Sequence, residues 1–253
     1  MKQEPHISVR GIAVGYGSFL VLRDVSFDVH HGDVFVIMGG SGSGKSTLLQ
    51  CLVGLLEPRE GEVRYGGKDF THASADERQK LRQRFGVLFQ SGALFSGMTV
   101  AENVALPLEE FTDLRPTMIR EIVDLKLTLV GLRGFEDFYP AQLSGGMQKR
   151  AGLARAMALD PEILFLDEPS SGLDPVTADR LDDLILEVAE SIGTTMVVVT
   201  HDLSSIFKIA NDSIYLDAKA RTIAARGPPD LLLRHGEGAV RNFLTRGGTE
   251  RSA

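Results

Sequence analysis

Residues 39–47 read Gly-Gly-Ser-Gly-Ser-Gly-Lys-Ser-Thr. Gly39, Gly44, Lys45 and Ser46 meet the spacing G-x-x-x-x-G-K-[ST] of a phosphate-binding loop. Glycines let the backbone curl so that successive N–H groups point at one anion, with no side chain in the way. The candidate ligands of a nucleoside triphosphate are therefore Gly39, Gly40, Ser41, Gly42, Ser43, Gly44, Lys45, Ser46 and Thr47. Lys45 would reach the β- and γ-phosphates, and the Ser46 hydroxyl would sit on Mg²⁺. The plainer alternative is a Gly/Ser-rich turn that happens to hold a lysine.

A second set of chemical groups follows later. Asp167 and Glu168 end the apolar run Ile163-Leu164-Phe165-Leu166. Asp167 fits a Mg²⁺-associated carboxylate, and Glu168 fits a water-activating base beside it. Two acids could instead cap the next helix, but Ser170 or Ser171 is available for that role. His201 ends another apolar run, Met196-Val197-Val198-Val199. Ser144, before Gly145 and Gly146, is a suitable N-cap for a helix with a small-residue face of Ala151, Ala154 and Ala158. Tyr16, between Gly15 and Gly17, is either a platform for a nucleotide base or an ordinary turn aromatic. His6, His72 and His235 lack such context and are expected at the surface, and His30-His31 in a solvated turn.

These groups need elements to hold them. Val34-Phe35-Val36-Ile37-Met38 reads as a buried parallel strand, and Leu48, Leu49, Leu52, Val53 and Leu56 recur at helical spacing from about Lys45. Strand, glycine loop and helix together disfavour the plain-turn alternative. Apolar runs at 85–89, 163–166 and 196–199 predict further buried strands, and an open parallel sheet places ligands at strand C-termini. Residues 7–35 predict an antiparallel start, and residues 61–69 a strand and turn. Residues 75–84 and 176–192 predict helices. Short strands are expected over 213–226, then a helix from Pro228-Pro229 and an amphipathic turn over 238–244. Between about 91 and 157 helical periodicity dominates, punctuated by Pro107, Pro116 and Pro140.

The fold class is thus α/β: a P-loop NTPase core with a parallel sheet, an N-terminal antiparallel β part and an inserted α-helical subdomain. One domain is expected over 1–245, followed by a mobile tail over 246–253.

Hydrophobic residues make up 43% of the chain, enough for a sizeable core. The net charge of −7 argues against a general nucleic-acid binder. The single cysteine, Cys51, cannot form an internal disulfide and is expected to be a small buried side chain. No apolar run approaches the roughly 18 residues of a membrane span. Met1 to His6 carry no apolar signal segment, so a membrane role needs a partner that supplies the spans.

Taken in order, the motifs resemble the ATPase subunit of ATP-binding-cassette transporters over nearly the whole chain. Tyr16 matches that family's adenine-stacking aromatic and residues 39–46 its Walker A loop. Gln90 matches the glutamine that touches Mg²⁺ and the attacking water. Leu143-Ser144-Gly145-Gly146 match its signature sequence. Asp167 and Glu168 match the Walker B acid and the catalytic glutamate, residues 171–174 the D-loop ending in Asp174, and His201 the switch histidine. Met147 departs from the family, which usually has glutamine there.

The resemblance implies an ATP-dependent C₂ dimer in which Ser144, Gly145 and Gly146 of one copy face the ATP held by the other. It also implies an integral-membrane permease and a peripheral place on the cytoplasmic face of the inner membrane. Leu88 to Phe95, Glu102 to Leu108, Val130 to Arg133 and Arg241 to Leu244 look like Mla/Mce-type lipid transporters. That narrower likeness implies phospholipid cargo, with a lipid-binding Mce-type subunit and a small regulatory subunit as further partners. Leu94, Phe95 and Met98 are either a groove for a short permease helix or filling for the helical subdomain. The rival readings are a cassette transporter for another cargo, a soluble cassette ATPase without a permease, and a module that holds ATP without cleaving it.

Overall fold

The computed structural model describes residues 4–245, apart from the side chain of Ile192, so the expected tail from residue 246 lies outside the described residues. The chain begins with strands β1 (Ile7–Tyr16), β2 (Phe19–Val29) and β3 (Val34–Met38), then helix α1 (Lys45–Leu52). Strands β4 (Glu60–Tyr65) and β5 (Lys68–Asp69), helix α2 (Ala75–Arg82) and strand β6 (Phe85–Leu88) follow. Three helices come next: α3 (Val100–Phe111), α4 (Pro116–Leu129) and α5 (Gly145–Ala156). The chain then runs β7 (Ile163–Asp167), α6 (Pro175–Ile192), β8 (Thr195–Val199) and α7 (Leu203–Ile209). It closes with β9 (Asp212–Asp217), β10 (Thr222–Arg226), α8 (Pro229–His235) and α9 (Gly238–Thr245).

Two sheets result. β2, β1, β4 and β5 form an antiparallel sheet, and the larger sheet has the order β10-β9-β3-β8-β7-β6. In the larger sheet β9, β3, β8, β7 and β6 are parallel, and only β10 is antiparallel to its neighbour. Residues 34–38 of β3, 163–166 of β7 and 196–199 of β8 are apolar without interruption because both faces are covered. Val34, Val36 and Met38 of β3 enter a core shared with α3 to α7, while Phe35 and Ile37 enter one shared with α1 and the antiparallel sheet. Leu164 and Leu166 divide from Ile163 and Phe165 in the same way, as the alternation of side chains along a strand requires.

The helical insertion packs α3, α4 and α5 on one another. Asn103, fully buried, ties its entry loop. Its Oδ1 accepts from Phe95 N at 2.8 Å, and its Nδ2 donates to the carbonyls of Phe95, Met98 and Thr99.

The structure corrects several expectations. His6 is 2% exposed. Its Nδ1 lies 2.7 Å from Thr195 Oγ1, and its ring stacks on that of His31 at 3.8 Å. The first strand is thereby fastened to the far edge of β8, and burial lowers the His6 pKa. His31 is exposed as expected but is held by that stack. Pro107 lies inside α3 and does not break it, whereas Pro116 opens α4. The helix after the glycine loop stops at Leu52, short of Leu56, and α5 stops at Ala156, short of Ala158. The 238–244 segment is a full helix, α9. Cys51 is buried as expected, and burial pushes its thiol up to about 12.

Candidate functional site

The glycine loop leaves the C-terminal end of β3, the acids leave β7, His201 follows β8, and Gln90 follows β6. The order β3-β8-β7-β6 therefore lines up four of the expected groups along one sheet edge. The register carries this to the residue: Asp167 pairs with Val199, and Ile37 pairs with Val199 from the other side.

Positive φ at Gly39, Gly42 and Gly44 gives the loop its curl. A Cβ on Gly39 would lie 2.6 Å from both the Leu216 carbonyl and Ser43 Oγ, so the position admits only glycine. Lys45 is buried and donates to the carbonyls of Gly39 at 2.9 Å and Gly40 at 3.2 Å. Burial lowers its pKa, and Glu168 and Asp167 oppose that shift. Ser43 Oγ is buried with no hydrogen-bond partner among the described residues. An orphaned hydroxyl, a desolvated ammonium and the N-terminus of α1 together fit a polyphosphate. Gly40 and Ser41 lie within the loop, and Thr47 lies in the first turn of α1.

Ser46 Oγ lies 3.3 Å from Asp167 Oδ1. Burial raises the Asp167 pKa, and the Ser46 hydrogen bond and the nearby lysines pull against it. A hydroxyl and a carboxylate side by side are hard oxygen donors of the kind Mg²⁺ prefers. Next to them, His201 Nδ1 lies 2.7 Å from Glu168 Oε1. Glu168 is buried and its backbone has φ +48, in the left-handed region. A non-glycine residue held there stores roughly 1–3 kcal/mol of strain, which is often found where a side chain must be aimed.

The other expected groups divide. Tyr16 is half exposed, and its hydroxyl donates to Gln50 Oε1 on α1 at 2.8 Å, which sets the ring beside the glycine loop's helix. If it stacks on a base, Tyr16→Ala raises the KM for ATP about 5- to 100-fold with kcat nearly unchanged, since such stacking is worth about 1–3 kcal/mol. Steady-state ATPase kinetics check this. Gln90 Nε2 makes a long contact to Ser171 Oγ at 3.5 Å, and among the described residues no hydrogen bond joins it to Ser46 or Asp167.

Ser144 caps α5 by accepting from Met147 N at 3.3 Å. Gly145 and Gly146 open that helix, and a Cβ on Gly146 would strike Thr177 of α6 at 2.6 Å. α5 packs on α3, α4, α6 and β6, whereas α1 packs on β1, β7 and β8. Within one chain Ser144 and the glycine loop are thus carried by elements with different neighbours. Asp174, not Ser170 or Ser171, caps α6. Its carboxylate accepts from Val176 N and Thr177 N, each at 3.1 Å.

Two more features lie beside these groups, the first of them missed by the sequence reading. Lys149, buried on α5, donates to the carbonyl of Gln90 and, at 3.1 Å, to that of Glu168. A lysine in register with Gly146 and Leu153 on a buried helix face was the available signal. The other is a cavity of about 840 Å³ lined by Phe89, Phe95, Leu106, Pro107, Phe111 and Arg155. Phe95 is half exposed there with the Arg155 guanidinium 5.9 Å from its ring, while Leu94 packs against the core. Of the expected trio, Phe95 thus lines the groove and Leu94 packs on the core.

The ABC transporter family matches residues 22–171. The chain belongs to the ABC transporter family. Like that family's nucleotide-binding subunits, this ABC protein is an ATPase that binds and hydrolyses ATP. It is 44% identical to the "Probable ribonucleotide transport ATP-binding protein mkl" of Mycobacterium leprae, over 94% of this chain and 68% of the relative. It is 40% identical to the "Intermembrane phospholipid transport system ATP-binding protein MlaF" of Haemophilus influenzae, over 94% and 89% respectively. The dimeric post-hydrolysis ATP-binding cassette MJ0796, bound to ADP and Pi, superposes with a TM-score of 0.79. It is 31% identical, over 88% of this ABC ATPase and 98% of that chain. No helix among the described residues is long and apolar enough to cross a membrane.

Proposed function

We propose that this ATPase powers phospholipid transport through a separate integral-membrane permease, docked on the cytoplasmic face of the inner membrane. The observation that carries the cargo is the 40% identity to MlaF over 94% of the chain. The observation that carries the chemistry is the Glu168–His201 pair beside the glycine loop. The residues at 39–47 and Tyr16 bind ATP. Ser46 and Asp167 would hold Mg²⁺, with Gln90 swinging in from Ser171. When bound, Mg²⁺ neutralises phosphate charge. Glu168 orients and deprotonates the attacking water, His201 holds the γ-phosphate side, and Lys45 offsets charge as it develops.

Ser144, Gly145, Gly146 and Asp174 act on the ATP of a second copy in a C₂ dimer, a self-complementary interface. The dimeric MJ0796 cassette supports that arrangement. Residues 1–245 work as one cassette, with about 91–157 as the inserted helical subdomain. The Phe95 groove receives a short permease helix, and an Mce-type lipid-binding subunit and a small regulatory subunit complete the assembly.

Purification of the chain from its native membrane in mild detergent tests the proposal. A multi-span permease with co-purified phospholipid supports it. A permease without lipid favours another cargo, the reading that the mkl relative supports. Active ATPase with no membrane protein would leave a soluble cassette. Phe95→Asp should abolish permease co-purification and leave the melting temperature within about 3 °C, since a half-exposed site tolerates polarity.

A further inference from the structure

Behind the Glu168–His201 pair lies a polar set that the hydrolytic roles do not use. Asp182 on α6 is 2% exposed and Ser205 on α7 is 1% exposed. Ser205 Oγ donates to Asp182 Oδ2 at 2.8 Å. Ser170 Oγ lies 3.4 Å from Ser205 Oγ. With the Ser205 hydrogen committed to the carboxylate, Ser170 is the donor in that second contact. Ser170 is two residues beyond Glu168, and Ser205 is four beyond His201. Three buried groups thus join α6, α7 and the loop that follows β7.

The arrangement is unfavourable as mere packing. Asp182 Oδ1 finds no hydrogen-bond partner among the described residues. A half-satisfied buried carboxylate destabilises a helix interface that a leucine would fill at no such cost. The charges around it do not compensate. Lys208 on α7 is engaged by Asp179 at 2.6 Å and Asp183 at 2.7 Å, both on α6, and Asp202 stands at the head of α7. Burial pushes the Asp182 carboxyl up to about 6, and Asp202 and Asp179 push it the same way against Ser205 and Lys208.

We propose that Asp182 is a positioning residue for ATP hydrolysis: through Ser205 and Ser170 it fixes the loop carrying Glu168 against the helix that follows His201. The proposal rests on Glu168 and His201 being the hydrolytic pair. The two side chains meet at 2.7 Å although they leave different strands, and Glu168 does so from a left-handed backbone. Both loops need an anchor on a third element, and α6 supplies one that touches neither ATP nor metal ligands.

The test uses the full chain with Asp182→Ala, Ser205→Ala, the double alanine variant and Asp182→Asn, and reads kcat, KM for ATP and melting temperature. Each alanine change should lower kcat about 10-fold, a misplacement effect, with KM within about twofold, whereas Asp182→Asn, whose amide oxygen can still accept from Ser205, should keep kcat near the parent's. The double variant should be no slower than the slower single one, because a relay fails as a unit. Asparagine keeps the carboxylate's shape, so Asp182→Asn should melt no lower than the parent at pH 7.

The folded carboxyl sits at about 6 against an ordinary 3.8, so the folded parent holds its proton more tightly. The stability it gains at low pH is lost as pH rises through 6. The melting gap between Asp182→Asn and the parent should therefore close as pH falls below 6. Unchanged kcat in a folded Asp182→Ala, or a double variant whose loss is the product of the singles, would overturn the proposal. Should Asp182→Ala not fold, Ser205→Ala alone decides by the same kcat and KM criterion. Near-normal turnover in Glu168→Gln would instead overturn the reading of the pair itself.

Discussion

Glu168→Gln should bind ATP as the parent does and hydrolyse it about 10²–10⁴-fold more slowly, the range expected when a general base is removed. Glutamine has the size of glutamate, and its carbonyl can still accept from His201 Nδ1, which lies 2.7 Å from the present carboxylate oxygen. The left-handed backbone at position 168 is also unaffected by an isosteric change. What disappears is the ability to take a proton from water. The Lys45 ammonium, the Ser46 hydroxyl and the glycine loop stay in place, so affinity has no reason to fall. Nucleotide binding by calorimetry and phosphate release by a coupled assay separate the two quantities. Near-normal turnover would remove Glu168 from its role.

Lys45→Met should do the reverse and weaken ATP binding about 10²-fold. The ammonium now rests on the carbonyls of Gly39 and Gly40, in the mouth of the loop where phosphates would sit. Burial disfavours its charge, and Glu168 and Asp167 offset this only in part, so a bound phosphate would supply a closer counter-charge. Two charge-assisted hydrogen bonds to phosphate, at roughly 1.5 kcal/mol each, sum to about 3 kcal/mol, or about 10² in affinity. Methionine fills the same volume without that desolvation cost, so the variant should melt no lower than the parent. Calorimetric affinity within threefold of the parent would show that the loop alone holds the nucleotide.

How far the sequence could be read depended on the range of the interactions. β3, β7 and β8 were legible because a strand covered on both faces must be apolar throughout, and five residues suffice to show it. The glycine loop was legible because its backbone forces glycine at fixed offsets. The adjacency of Lys45, Asp167, Glu168 and His201 followed once those strands shared a sheet edge.

His6 was not legible. Its partner Thr195 is 189 residues away, and nothing local marks a buried imidazole near a chain end. Asp182 was hidden in the same manner: its neighbours on α6 read as an ordinary amphipathic helix, and its partner lies on another element. Pro107 misled because proline usually ends a helix, whereas here the four residues beyond it remain helical. The cap of α6 was offered to Ser170 or Ser171, whereas Asp174 supplies it, because several short polar side chains can serve a helix end and spacing does not distinguish them.

Lys149 has a mechanical consequence. Its amine holds the backbone of Gln90 with one hydrogen and that of Glu168 with another, so the glutamine loop and the acid are geared together through one side chain of the helical insertion. A shift of α5 by more than about half an ångström must drag both loops or break a bond, since hydrogen bonds fade beyond roughly 3.5 Å. A push delivered at the Phe95 groove, which Arg155 of α5 also lines, can therefore reach the Glu168 backbone through α5 and Lys149 rather than through a bound nucleotide. The helical insertion can set the hydrolytic geometry before any ATP has arrived.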